Sequence, residues 1–84
     1  MKELTEDRVR KLVERAIENL RPNDLGFRLS KDGVHQVDGR WWAVVELKSE
    51  PGNRSEVWAI LDQLAQFIEE DDPRGAELIS LTAA

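Results

Sequence analysis

From Arg40 to Leu47 the chain reads Arg-Trp-Trp-Ala-Val-Val-Glu-Leu, and its odd positions Trp41, Ala43, Val45 and Leu47 are all apolar. Alternate side chains of a strand share a face, so this spacing predicts a β-strand with one face in the core. The even positions Arg40, Trp42, Val44, Glu46 and Lys48 mix apolar and charged groups. Trp42 is therefore a large indole aimed away from the side that Trp41 faces.

Just upstream, Asp38-Gly39 stands between apolar residues, a strong signal for a type I′ turn, which needs positive φ at both central positions. A two-residue turn sets the register. Val37 is expected opposite Arg40, Gln36 opposite Trp41, His35 opposite Trp42 and Val34 opposite Ala43, with Val34 inside and His35 outside. Strict alternation would leave Phe27 and Leu29 on the outer face. One extra residue at Asp32-Gly33, as a bulge, returns both to the core. If Asp32-Gly33 were a turn instead, three short strands would follow the first helix. That α-β-β-β-α order resembles a double-stranded RNA-binding domain, whose last helix opens rich in lysine. Here the corresponding stretch is Asn53-Arg54-Ser55-Glu56 and continues acidic.

Between Glu6 and Leu20 the apolar residues Val9, Leu12, Val13, Ala16, Ile17 and Leu20 form one helical stripe. Thr5 is a suitable N-cap, Glu6 and Asp7 suit the positive end of the helix dipole, and Leu4 with Val9 can form a hydrophobic staple. Arg21-Pro22 ends the helix, and Asn23-Asp24 turns the chain. Asn53 to Glu56 reads as a capping box for a second helix. Val57, Ile60, Leu61, Leu64, Ala65, Phe67 and Ile68, flanked by Trp58, cover nearly half of its circumference, as packing against a sheet and another helix requires. Glu69 to Asp72 and Pro73 end it. Glu77 to Thr82 is β-prone and is expected as a third strand parallel to the second, through a right-handed crossover. The pattern leaves open whether this strand pairs beside the second strand or beside the first, although the apolar character of both faces favours a central place for the second strand.

The expected fold is thus α+β, an α-β-β-α-β two-layer sandwich with two helices on one face of a small three-stranded mixed sheet. The 84 residues are read as one domain that buries about two thirds of its unfolded surface. With no cysteine, disulfides and cysteine-ligated zinc are excluded. No apolar run approaches the ~20 residues of a membrane span, and the start Met-Lys-Glu-Leu-Thr-Glu-Asp is too charged for a signal peptide. A cytoplasmic protein is expected. The net charge of −5 is uneven: Met1–Lys48 holds 10 basic and 9 acidic residues, Ser49–Ala84 holds 2 and 8. Such an acidic half repels phosphate, which disfavours nucleic acid and anionic membrane as partners.

Candidate chemistry is sparse. His35, the single histidine, lacks a neighbouring ligand or orienting group in the sequence pattern. Glu69 to Asp72 lacks the alternating ligands and turn glycine of a calcium loop and reads as a solvated helix end. Ser30, Ser49, Ser55 and Ser80 have no nucleophile-elbow setting, and the glycines are too scattered to cradle a phosphate. The charges of the first helix read as a solvated face with i, i+4 pairs. No cofactor, metal site or catalytic residue is therefore expected. What stands out is Trp42, with Val44, Val37, His35 and Arg40 around it, on a sheet face that the helices should leave open. These residues point to a non-enzymatic module that self-associates or binds a protein partner. The alternative is a small-ligand or enzymatic pocket between Trp58, the first helix and the third strand.

Overall fold

The computed structural model describes residues 4–83 except 22, 24, 50, 51 and 53. Its elements are α1 (Glu6–Asn19), β1 (Arg28–Val37), β2 (Arg40–Glu46), α2 (Arg54–Asp71), α3 (Pro73–Glu77) and β3 (Ile79–Ala83). The sheet has the order β1-β2-β3, antiparallel between β1 and β2 and parallel between β2 and β3. Val9, Leu12, Val13 and Ala16 of α1 and Leu61, Leu64 and Ile68 of α2 share one core with Val34, Trp41, Ala43, Val45 and Ile79. Both long helices therefore lie on the same face of the sheet, and the α+β sandwich follows from the hydrophobic pattern.

Local chemistry explains the elements. The Thr5 side chain accepts from the Arg8 amide at 3.2 Å and caps α1, while Leu20 closes it. Beyond the helix, the Asn23 side chain accepts from the Phe27 amide at 2.9 Å and donates to the Phe27 carbonyl at 3.1 Å, which turns the chain into β1. Asp38 and Gly39 have φ of 52° and 80°, the type I′ signature, and the four expected pairs from Val34↔Ala43 to Val37↔Arg40 are all in register.

The bulge is larger than expected. Leu29 pairs with Val45 and Val34 with Ala43, so residues 30–33 on β1 stand against Val44 alone. Any odd excess restores alternation, and Phe27 is buried while Leu29 packs partly against the core. Gly33 makes the bulge possible, because a Cβ there would stand 2.7 Å from the Val44 carbonyl oxygen and 2.8 Å from the Ser30 Cβ. The Arg10 guanidinium donates to the Lys31 carbonyl at 3.0 Å and holds the loop against α1. Residues 28–37 form one strand, so the three-strand order and its double-stranded RNA-binding likeness do not apply.

Pro73 does more than end α2. It occupies the first turn of α3, a helix that the sequence pattern did not announce, with Asp72 as N-cap accepting from the Gly75 amide at 3.0 Å. Glu77 thus belongs to α3, Leu78 turns the chain, and β3 begins at Ile79. Asn53, the expected cap of α2, is outside the described residues. The Glu56 carboxylate accepts from the Gly52 amide at 3.3 Å. The ion pairs of α1 run between elements and not along the helix: Arg8 meets Asp72 and Arg15 meets Asp71, each at 3.4 Å.

Candidate interaction surface on the open sheet face

Pairing across the sheet builds the surface row by row. His35, Trp42 and Ser80 lie side by side on β1, β2 and β3, and Val44 adjoins Thr82. Val37 faces Arg40 at the hairpin end, and Arg28 faces Glu46 at the other. Alternation puts all of these opposite the buried Trp41, Ala43 and Val45. Trp42 is 36% exposed and Val37 50% exposed, His35 and Arg40 are exposed, and Val44 is half-buried. The five residues singled out from sequence thus share one face, and both long helices pack on the other.

Hydrogen bonds fix the polar rim. The Arg40 guanidinium donates to the Ser80 hydroxyl at 2.6 Å and to the Glu77 carbonyl at 3.5 Å, so its stem lies across the β2–β3 end of the face. At the far end Arg28 and Glu46 form an ion pair at 3.1 Å. Ser80, Thr82 and the Arg28–Glu46 pair were not singled out from sequence. The strand neighbour of β2 was open there, and the size of the bulge, which decides what faces Glu46, carries no local signal.

Gln36 corrects the alternation reading. Its place opposite Trp41 put it in the core pattern, yet it is exposed. Its neighbour Trp41 on the same face is buried in the core, so the edge strand leaves the core one row earlier than the central strand does.

A cleft does exist beside Trp58, of about 220 Å³, walled by α2, α3 and β3 with Leu61, Ala65, Ala76 and Leu81 among its apolar side chains. Helix α1, expected as one wall, contributes no lining residue. Trp58 is 62% exposed at its rim, and Asp62 is the one ionisable side chain among the described residues that line it. The acidic run is more than a solvated end, since Asp71 and Asp72 hold α1 and Asp72 caps α3. Among the described residues no group of three or more His, Asp or Glu side chains is placed to hold a metal ion. None of their helices is long and apolar enough to cross a membrane.

The fold and the surface define a small α+β domain with a partly apolar sheet face opposite both long helices. Comparison with protein-family models, with curated proteins and with solved structures finds no match for the chain.

Proposed function

We propose that this chain is a non-enzymatic protein–protein interaction module that self-associates, or binds another protein, through the sheet face around Trp42. The observation that carries the reading is the position of Trp42: an indole in the middle strand, flanked by Val44 and His35, on the face opposite both long helices. Burying it against a partner is worth about 2 to 3 kcal/mol, a large part of what a small interface needs at its centre. The face also carries both signs of charge, Arg28 and Arg40 against Glu46, in a chain of net charge −5. A second copy stacked on it by a twofold axis meets little repulsion. Neither nucleic acid nor an anionic membrane fits the acidic second half of the chain.

Light scattering across a concentration series tests the reading. The expected result is a mass rising toward about twice the 9.6 kDa of one chain. Trp42→Ala should keep the circular dichroism spectrum and return the mass to that of one chain. Both forms remaining monomeric at every concentration would reject self-association. The small-ligand reading has less in its favour, because a cleft of about 220 Å³ is below the usual range for ligand pockets, roughly 300 to 1,000 Å³.

A further inference from the structure

We propose that the outer edge of β3 and the cleft beside Trp58 together form a strand-addition site for an extended cationic segment of another polypeptide. Its apolar side chains would enter the cleft, and a lysine or arginine would meet Asp62. This site is separate from the Trp42 face and does not rest on that reading.

The backbone supplies the first half of the site. The Trp41 amide donates to the Leu78 carbonyl at 2.7 Å, and Trp41 is in register with Ile79. In a parallel ladder each residue bonds to the two residues flanking its partner, so Leu78, Ser80 and Thr82 turn their peptide groups toward β2. Ile79, Leu81 and Ala83 turn theirs the other way, where the described residues include no further strand.

The two edges of the sheet differ in how they are protected. Edge strands that must stay unpaired are blunted by charge, proline or a bulge. β1 has a bulge carrying Lys31 and Asp32, whereas β3 reads Ile-Ser-Leu-Thr-Ala, uncharged and unbroken. A strand laid on that edge, roughly 4.8 Å from β3, would carry every second side chain on the helix side of the sheet. There Trp58, Leu61, Ala65, Ala76 and Leu81 line the cleft.

Charge selects the occupant. Asp62 is the one ionisable side chain among the described residues that line the cleft, Arg40 meets Ser80 with its guanidinium on the opposite face of the sheet, and the half of the chain that builds the site, Ser49–Ala84, holds 8 acidic and 2 basic residues. A second copy docked edge to edge would bring these acidic halves together. An extended segment with a cation among alternating apolar residues is complementary in both respects.

The probe is a capped peptide of about seven residues in which threonines alternate with valine, valine and lysine, titrated into the full chain and followed by amide and indole NMR. Shift changes are expected at Trp58, Leu81 and Ala83, with exchange of the Leu81 amide slowed by about tenfold or more. A peptide N-methylated on the amides that face β3 should not bind. Asp62→Lys should weaken the lysine peptide by about tenfold and favour its glutamate counterpart. Equal binding of the N-methylated peptide, shifts centred on Trp42, or no shift up to about 1 mM would each overturn the proposal. A Leu81 amide already protected in a dimeric free protein would assign the edge to a second copy and overturn it as well.

Discussion

Trp41 and Trp42 are adjacent in the chain and opposed in the fold: Trp41 is 9% exposed in the core, and Trp42 is 36% exposed on the open face. One residue type at two consecutive positions therefore separates stability from surface. Trp41 packs within a core that spans both long helices and the sheet, so truncating it removes contacts that no other side chain replaces.

Trp41→Ala should cost about 3 to 5 kcal/mol, the usual range for a buried aromatic cut back to alanine. Domains of this kind are stable by only about 5 to 15 kcal/mol, so a large share of the molecule's stability would go. Urea unfolding followed by circular dichroism measures it. A midpoint as little altered as that of Trp42→Ala would contradict the division between the two indoles.

The bulge makes a sharper claim about a single hydrogen atom replaced by a methyl group. Gly33→Ala should destabilise by about 1 to 3 kcal/mol, because its Cβ would meet the Val44 carbonyl and Ser30 with nowhere to go. At Gly39 a Cβ meets nothing within 4 Å, and the φ of 80° is the whole obstacle. Gly39→Ala should then cost only about 1 kcal/mol. Thermal unfolding of the two variants side by side checks the order. Reversal of that order would mean that the residues around the bulge yield more easily than the turn.

These glycines also show where sequence reading reached and where it stopped. The Asp38-Gly39 turn has a local signature, and once it is in place the pairs from Val34 to Val37 follow without further information. The Asp32-Gly33 bulge was legible in kind, since Phe27 and Leu29 had to return to the core. Its size was not, because one or three extra residues give the same alternation, and only the fit of Gly33 against Val44 separates them. Helix α3 was missed for a similar reason. Pro73 ends one helix and starts another with the same fixed φ, and Asp72 reads as the tail of an acidic run until its carboxylate is seen on the Gly75 amide. The face around Trp42 was assembled correctly because it depends on register alone. The composition of the Trp58 cleft depends on how α2 lies against β3, which no local pattern encodes.

The tie between Asn23 and Phe27 offers a third test, at the entry to β1. Asn23→Ala removes two hydrogen bonds to the backbone, from the Phe27 amide and to its carbonyl. Each is worth about 1 kcal/mol net, so a loss of about 1 to 2 kcal/mol is expected. Because the bonds are local, the Phe27 amide, stripped of its acceptor, should gain the most in exchange rate, while Leu64 and Val45 accelerate by no more than the lost global stability allows. Acceleration at Phe27 no greater than in the core would show that the turn holds the whole fold together and not just its first strand.

Asp72 carries two interactions that substitution can separate. Its carboxylate accepts from the Gly75 amide as the cap of α3 and pairs with Arg8 of α1, where the side chains are 26% and 39% exposed. An exposed ion pair contributes about 0 to 1 kcal/mol and is screened by salt, whereas loss of an N-cap costs about 0.5 to 2 kcal/mol and is not. Asp72→Asn keeps a capping oxygen and should lose only the smaller, salt-sensitive part. Asp72→Ala should lose both. Urea midpoints at low and at about 1 M salt, where the screening length is ~3 Å, distinguish the two parts: the gap between wild type and Asn should close, and that between Asn and Ala should persist. Since α3 sets where Leu78 turns into β3, the Ala variant should also loosen the β2–β3 ladder, seen as faster exchange of the Trp41 amide. A gap for Asn that persists at high salt would show that the charge of Asp72 strengthens the cap itself, and Trp41 exchange unmoved in Ala would show that neither interaction holds β3.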